Sequence, residues 1–154
     1  MVCIYCSALS LTGWEIEMNL IQPNNSVLTK IRGNVMLLPP GVLYYSRLDK
    51  PTKSSVLCAT DLLLLESKTH KVRDLIWDIR NKSRLMGGMQ VFIVQQIPRL
   101  TAHFDRVYVV WDESTAHSWK GAFIKRMPVF QQNMEFSFHI NIEDALTAAC
   151  IQSA

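Results

Sequence analysis

Two carboxylates stand where open α/β proteins do their chemistry. Asp78 and Asp112 lie at, or just past, the carboxyl ends of the apolar runs Val72–Ile79 and Val107–Trp111. Ligands gather at that edge of parallel strands. The pair therefore has two readings: they bind a metal or act as acid and base, or they cap helices and hold turns. Asp112, directly ahead of a helical repeat, is well placed as an N-cap. His70, His103, His117 and His139 complete the acid–base inventory. His70 belongs to a cationic helix exit, His117 to an outward helix position, and His139 to the polar side of a strand beside Glu135. Each reads more simply as a surface residue than as a base, while His103, next to Phe104, is expected to be partly buried.

Nucleotide and nucleophile motifs are weaker. Gly87-Gly88 follows a strand and opens a helix, but the remaining glycines and the Lys-Ser/Thr of a phosphate loop are missing. Two readings stay open: a tight turn requiring positive φ, or an anion or partner site at the following helix's N-terminus. No Gly-x-Ser-x-Gly elbow occurs. Cys3-x-x-Cys6 has the spacing of half a zinc site or of a redox pair, but no second ligand pair exists, and a redox pair normally opens a helix after a strand. Cys58 and Cys150 are expected on apolar helix faces, as small hydrophobes. No catalytic set, metal or cofactor is assigned from these residues. Trp77, Trp111, Trp119 and Phe123 read first as core. If the helix carrying Trp119 exposes it beside His117, Lys120, Lys125 and Arg126, that surface suits a partner or an anionic membrane.

Elements that alternate in period are needed to position these groups. Trp14–Leu20 and Val27–Arg32 alternate apolar with polar residues across the turn residues Pro23-Asn24-Asn25-Ser26, predicting an antiparallel hairpin. Val42–Leu48 suits a further short strand beyond Pro39-Pro40-Gly41. A helix opens near Ser54-Ser55, with Val56, Ala59 and Leu63, and Cys58, Leu62 and Leu65, at helical spacing; so broad a face predicts a largely buried helix. Val72–Ile79 is a strand. Met89–Phe104 follows a helical period that Pro98 would kink or split. Val107–Trp111, almost wholly apolar, predicts a central strand covered on both faces. Ala116, Trp119, Phe123 and Met127 form a helical stripe that Pro128 stops. Met134–Ile140 alternates, with Met134, Phe136, Phe138 and Ile140 inward. Asn141-x-x-Asp144 caps a last amphipathic helix. The order implies an α/β fold: a mixed, mostly parallel sheet of four or five strands, opened by an N-terminal antiparallel hairpin.

A chain of 154 residues, 49% hydrophobic and 19% charged, reads as one domain over 1–154, with 1–13 as an N-terminal extension. The net charge is +3 and the basic residues are scattered, as on a solvated surface rather than a nucleic-acid stripe. No apolar run reaches the length of a membrane span. Met1–Leu11 is apolar, but the first basic residue is Lys30, so the start lacks a signal peptide's cationic region. The expectation is a cytoplasmic protein with no integral membrane segment and no nucleic-acid partner.

Over Ser54–Ile151 the pattern resembles the SpoIIAA-like branch of the STAS domains. The residues that carry the resemblance are Val72-Arg73-Asp74-Leu75-Ile76-Trp77-Asp78-Ile79-Arg80, a hydrophobic strand ending in Asp-x-Arg. They continue in Phe104-Asp105-Arg106-Val107-Tyr108-Val109-Val110-Trp111-Asp112-Glu113 and its Trp-bearing helix, and in Phe136–Phe138 followed by Ile142-Glu143-Asp144-Ala145-Leu146. The resemblance implies helices mainly on one face of the sheet, no enzyme activity, and regulation through binding another protein or a second copy of the chain. Phosphorylated members of that family carry Asp-Ser-Ser-Gly after the strand matching Val72–Ile79. Here the turn is Asn81-Lys82-Ser83-Arg84-Leu85-Met86-Gly87-Gly88, with Ser83 as its one hydroxyl. This departure puts a phosphoserine switch in doubt, although Lys82 and Arg84 would tolerate a dianion. The expected binding residues are Asp78, Ser83, Gly87, Gly88, Asp112 and Trp119. The alternatives are a small apolar-ligand or lipid carrier, with a pocket under Leu85–Phe104 or beside Trp119, and an enzyme using Asp78 or Asp112.

Overall fold

The computed structural model describes residues 29–153, apart from 33, 39–40, 81, 125, 127 and 129–131. The expected strand Trp14–Leu20 and the Cys3–Cys6 pair lie outside the described residues. Among the described residues six strands form one sheet in sequence order: β1 (Thr29–Arg32), β2 (Val35–Leu38), β3 (Val42–Ser46), β4 (Asp74–Asp78), β5 (Arg106–Val110) and β6 (Glu135–His139). This is at least one more strand than the expected four or five. β1–β2 and β2–β3 pair antiparallel, and β3–β4, β4–β5 and β5–β6 pair parallel. The sheet thus opens antiparallel, through β1–β2–β3, while the expected partner of Thr29–Arg32 is outside the described residues. Gly41, at φ 119°, supplies the turn between β2 and β3.

The connections explain the layering. α1 (Lys53–His70), α2 (Gly87–Val94) with α3 (Ile97–Leu100), and α4 (Glu113–Ile124) link successive parallel strands. Right-handed crossovers that advance always in one direction must lie on one face of the sheet. Their apolar residues pack there on Val35, Leu43, Leu75, Trp77, Val107 and Val109. α5 (Ile142–Ser153) follows the last strand and covers the opposite face. Its Ile142, Ala145 and Ala149 meet Leu38, Val42, Tyr44, Ile76, Tyr108 and Val110. Two alanines let this helix sit close to the strands.

Local signals account for the element ends. Thr52, two positions before the first of the expected serines, caps α1: its hydroxyl accepts from the Ser55 amide at 3.1 Å, and Ser55 Oγ accepts from the Thr52 amide at 2.8 Å. α1 ends on Lys71, left-handed at φ 54°, which closes the helix onto the Ser67 carbonyl. Pro98 does split the Met89–Phe104 segment, at Gln95-Gln96. Every residue of β4 is buried, as a strand covered on both faces requires.

Three packing expectations are corrected. Leu65 is 51% exposed, because the inward stripe of α1 runs through Val56, Thr60, Leu63 and Ser67. Ile140 is 73% exposed, since β6 ends at His139 and the chain has already turned toward α5. Cys150 is exposed while Cys58 is buried, because α5 turns 142, 145 and 149 inward and leaves the next position outward.

Candidate functional site

Asp78 is a buried carboxylate at the end of β4, on the α5 face. Tyr44, on the neighbouring strand, donates its hydroxyl to Asp78 Oδ2 at 2.8 Å. Arg80 donates from its backbone amide and Nε to Oδ1, at 3.0 and 3.1 Å, and from Nη2 to Oδ2 at 2.9 Å. The side chain of Arg80 is three-quarters buried. Burial first, then the Asp78 charge, pushes the Tyr44 phenol far above its ordinary range. Hydrogen bonding to Asp78 raises the Arg80 guanidinium. A carboxylate engaged by four donors, with its fork occupied by an arginine, is a joint between strands and a turn. At the opposite end of the same strand, Arg106 holds Asp74 through Nε and Nη2 at 2.7 and 2.9 Å.

Asp112 has a separate task. Its Oδ1 accepts from the Thr115 amide at 2.8 Å, while the Asp112 amide donates to Thr115 Oγ1 at 2.9 Å. This reciprocal box starts α4. Asp78 and Asp112 share no hydrogen-bond partner among those described. The acid–base reading required them to converge on a common cleft.

Trp119 is corrected outright as a surface binding residue. It is 2% exposed, edge-on to Trp77 at 5.9 Å and beside Phe123 at 5.8 Å. The 116/119/123 stripe that made it visible in the sequence is the inward stripe of α4. Gly87 and Gly88 are exposed, form the first turn of α2, and need no positive φ; added Cβ atoms would meet nothing within 4 Å. The tight-turn reading of this pair is therefore replaced by a helix start.

Ser83 is exposed and belongs to a clasp that sequence reasoning did not anticipate. Its amide and hydroxyl donate to the two oxygens of Asp49, at 2.6 and 3.0 Å. This pairing, backbone amide first, holds the Asp49 carboxyl below its ordinary range. Arg47 reaches across to the same place: Nη2 donates to the Ser83 carbonyl at 3.0 Å and Nη1 to the Leu48 carbonyl at 3.1 Å. The loop after β3 and the loop after β4 are thereby tied together at the carboxyl edge of the sheet. Past the clasp the chain carries Met86, 85% exposed, and then α2, whose sequence GGMQVFIV holds no charge.

Beneath the clasp, between the sheet and helices α1, α2 and α3, lies a cavity of about 40 Å³. Val56, Leu63, Ile93 and Ile97 supply apolar walls, and Arg47 and Trp77 also line it. Burial pushes the Tyr45 phenol beside it up to about 12. A pocket under Leu85–Phe104 was expected for a lipid carrier, but this one falls far short of the ~300 Å³ that a drug-sized ligand needs.

The histidines remain apart. His70 pairs with Glu66 at 3.2 Å within α1, and His117 is exposed. His139 Nε2 lies 2.9 Å from Ser137 Oγ on the half-buried α5 face of β6. This i, i+2 pair was legible as two positions on one strand face, yet among the described residues no carboxylate orients the imidazole. Among the described residues no three His, Cys, Asp or Glu side chains gather to hold a metal ion, and no helix is long and apolar enough to cross a membrane. No family model, curated protein or solved structure matches the chain.

Proposed function

We propose that this chain is a non-catalytic protein-interaction module of the SpoIIAA-like STAS type, and that it binds through the carboxyl rim of its sheet. One observation carries the reading. The Arg47–Asp49–Ser83 clasp fixes a loop that presents Met86, 85% exposed, ahead of a helix without a single charged residue. A large exposed apolar side chain beside an uncharged helix face is the composition of an interface centre. Met suits such a place because its unbranched, polarizable chain adapts to a partner. Two further observations support it. The chemically suggestive groups Asp78, Asp112 and Trp119 are consumed by the architecture. The crossover helices share one face, as the family resemblance implies, while α5 covers the other.

The partner is a second protein or a second copy of this chain. Native mass measurement of the full chain, alone and with proteins retained on it, is compared with that of Met86→Glu. The expected result is a complex that the wild type forms and Met86→Glu loses while its circular dichroism is unchanged. A wild type that neither self-associates nor retains a partner overturns the reading, and so does a complex indifferent to Met86→Glu.

A further inference from the structure

Arg47 is the most unusual buried group in the molecule. It is 2% exposed, yet among the described residues no carboxylate lies within ion-pair distance of it. Asp49, two residues on, turns both oxygens to Ser83 instead. The Nη groups of Arg47 reach only carbonyls, and its Nε–H has no acceptor. On the adjacent strand Trp77, 5% exposed, has an indole N–H that is likewise unpartnered. Both side chains line the one cavity under α1. Their placement follows from the sheet: Tyr45 pairs with Trp77, and alternation brings Arg47 to the same face two positions later.

A buried unsatisfied donor costs about 1–3 kcal/mol, and more when charged. Two such donors beside one cavity define its occupant by what they lack. Both are donors, so the complement is acceptor-only, and one of them is cationic, so the complement is an anion. Water can meet the first condition, since Tyr45, Thr60 and Gln96 also line the cavity and can take its hydrogens, but it brings no charge to the guanidinium. A phosphate ester is too large and too highly charged for a single guanidinium edge. A carboxylate offers one oxygen to each donor, and a hydrogen or a methyl group is all that the remaining space admits. The volume has room for about three water-sized groups.

We propose that this cavity is a binding site for a monocarboxylate of one or two carbons, formate or acetate, held by Arg47 Nε and Trp77 Nε1 with its hydrogen or methyl end against α1 and α3. The site shares Arg47 with the clasp that carries the interaction reading, but neither Met86 nor a partner enters it, so the failure of either is read by a different measurement. Through the Nη2 bond to the Ser83 carbonyl, its occupancy is mechanically joined to the loop clasp.

The test is a titration of the tryptophan indole N–H resonances of the full chain with sodium acetate at constant ionic strength. Sodium chloride and acetamide serve as controls, and Trp77→Phe assigns the resonance. The expected result is a saturable shift of the Trp77 resonance with acetate alone. Arg47→Met should weaken the apparent affinity by about tenfold or more, the worth of a charged hydrogen bond. Ala59→Val, which fills the cavity from α1, should do the same should Arg47→Met fail to fold. No saturable shift, an equal response to acetamide, or full affinity in a folded Arg47→Met or Ala59→Val protein overturns the proposal.

Discussion

The two faces of the sheet handle buried charge in opposite ways. On the α5 face each buried carboxylate has an arginine forked onto it: Asp78 with Arg80, and Asp74 with Arg106. On the other face a buried arginine, Arg47, has carbonyls in place of a carboxylate and keeps one donor unused. Paired groups of the first kind hold elements together, since their charge is neutralised at fixed geometry. A group of the second kind keeps its electrostatic demand open, which is what a ligand answers. The contrast teaches that the conspicuous aspartates of this chain are structural, and that the open chemistry belongs to an arginine in a region with no motif.

The largest expected effect comes from breaking the paired side. Asp78→Ala leaves Arg80 and the Tyr44 hydroxyl without their acceptor in a buried place, and should destabilise the protein by about 3–5 kcal/mol in urea denaturation. Arg47→Met, which removes an unpaired buried charge along with its carbonyl bonds, should change stability by about 1 kcal/mol or less. Equal losses for the two would erase the comparison.

A smaller step tests the same joint. Tyr44 and Tyr45 are neighbours on β3 that face opposite sides of the sheet. Tyr44→Phe removes a hydroxyl donated to a carboxylate that keeps its arginine, and should cost about 1–2 kcal/mol.

The pH dependence follows from the same two tyrosines. Burial raises both phenols, Tyr45 to about 12 and Tyr44 further. A group whose folded pKa is raised contributes stability that is complete below its unfolded pKa, about 10, and is lost as pH rises through the folded value. The midpoint of urea unfolding should therefore hold up to pH ~10 and fall toward pH ~12. Tyr45→Phe should flatten that fall, and an unchanged alkaline profile in the variant would remove Tyr45 from the account.

The smallest effect belongs to the exposed pair. Arg73 and Asp105 meet at 2.6 Å, but both are more than half exposed. Asp105→Ala should cost at most about 1 kcal/mol and less in high salt. The Arg73 hydrogen bond lowers the Asp105 carboxyl, so its contribution is present above the unfolded carboxylate pKa and disappears as pH falls below it. Asp74→Ala, at the buried pair one strand position away, should cost several times more.

Much of this was legible in one dimension. The apolar run Val107–Val110, the inward stripe of α4, the Asp112 cap and the Asn141–Asp144 cap are all encoded within a few residues of themselves. The Asp144 amide does donate to Asn141 Oδ1 at 2.8 Å. The stripe also carried the evidence against a surface Trp119, because a residue in phase with Ala116 and Phe123 faces inward with them. β2 was harder: Val35–Leu38 is a four-residue, wholly apolar run ahead of Pro39-Pro40, with no alternation to mark it as a strand.

What the residues by themselves determined, then, is everything that depends on separations of about four or fewer: period, caps, breaks and the α/β alternation. What only the tertiary structure decided is who meets whom across the sheet. Tyr44 and Asp78 are 34 residues apart, and so are Asp49 and Ser83. No local pattern distinguishes Arg47, buried beside Trp77, from the solvated cations elsewhere in the chain. The reason is physical. Hydrogen bonding within a helix or turn is a property of neighbouring backbone, whereas the burial of a charge is set by the crossovers that happen to roof it.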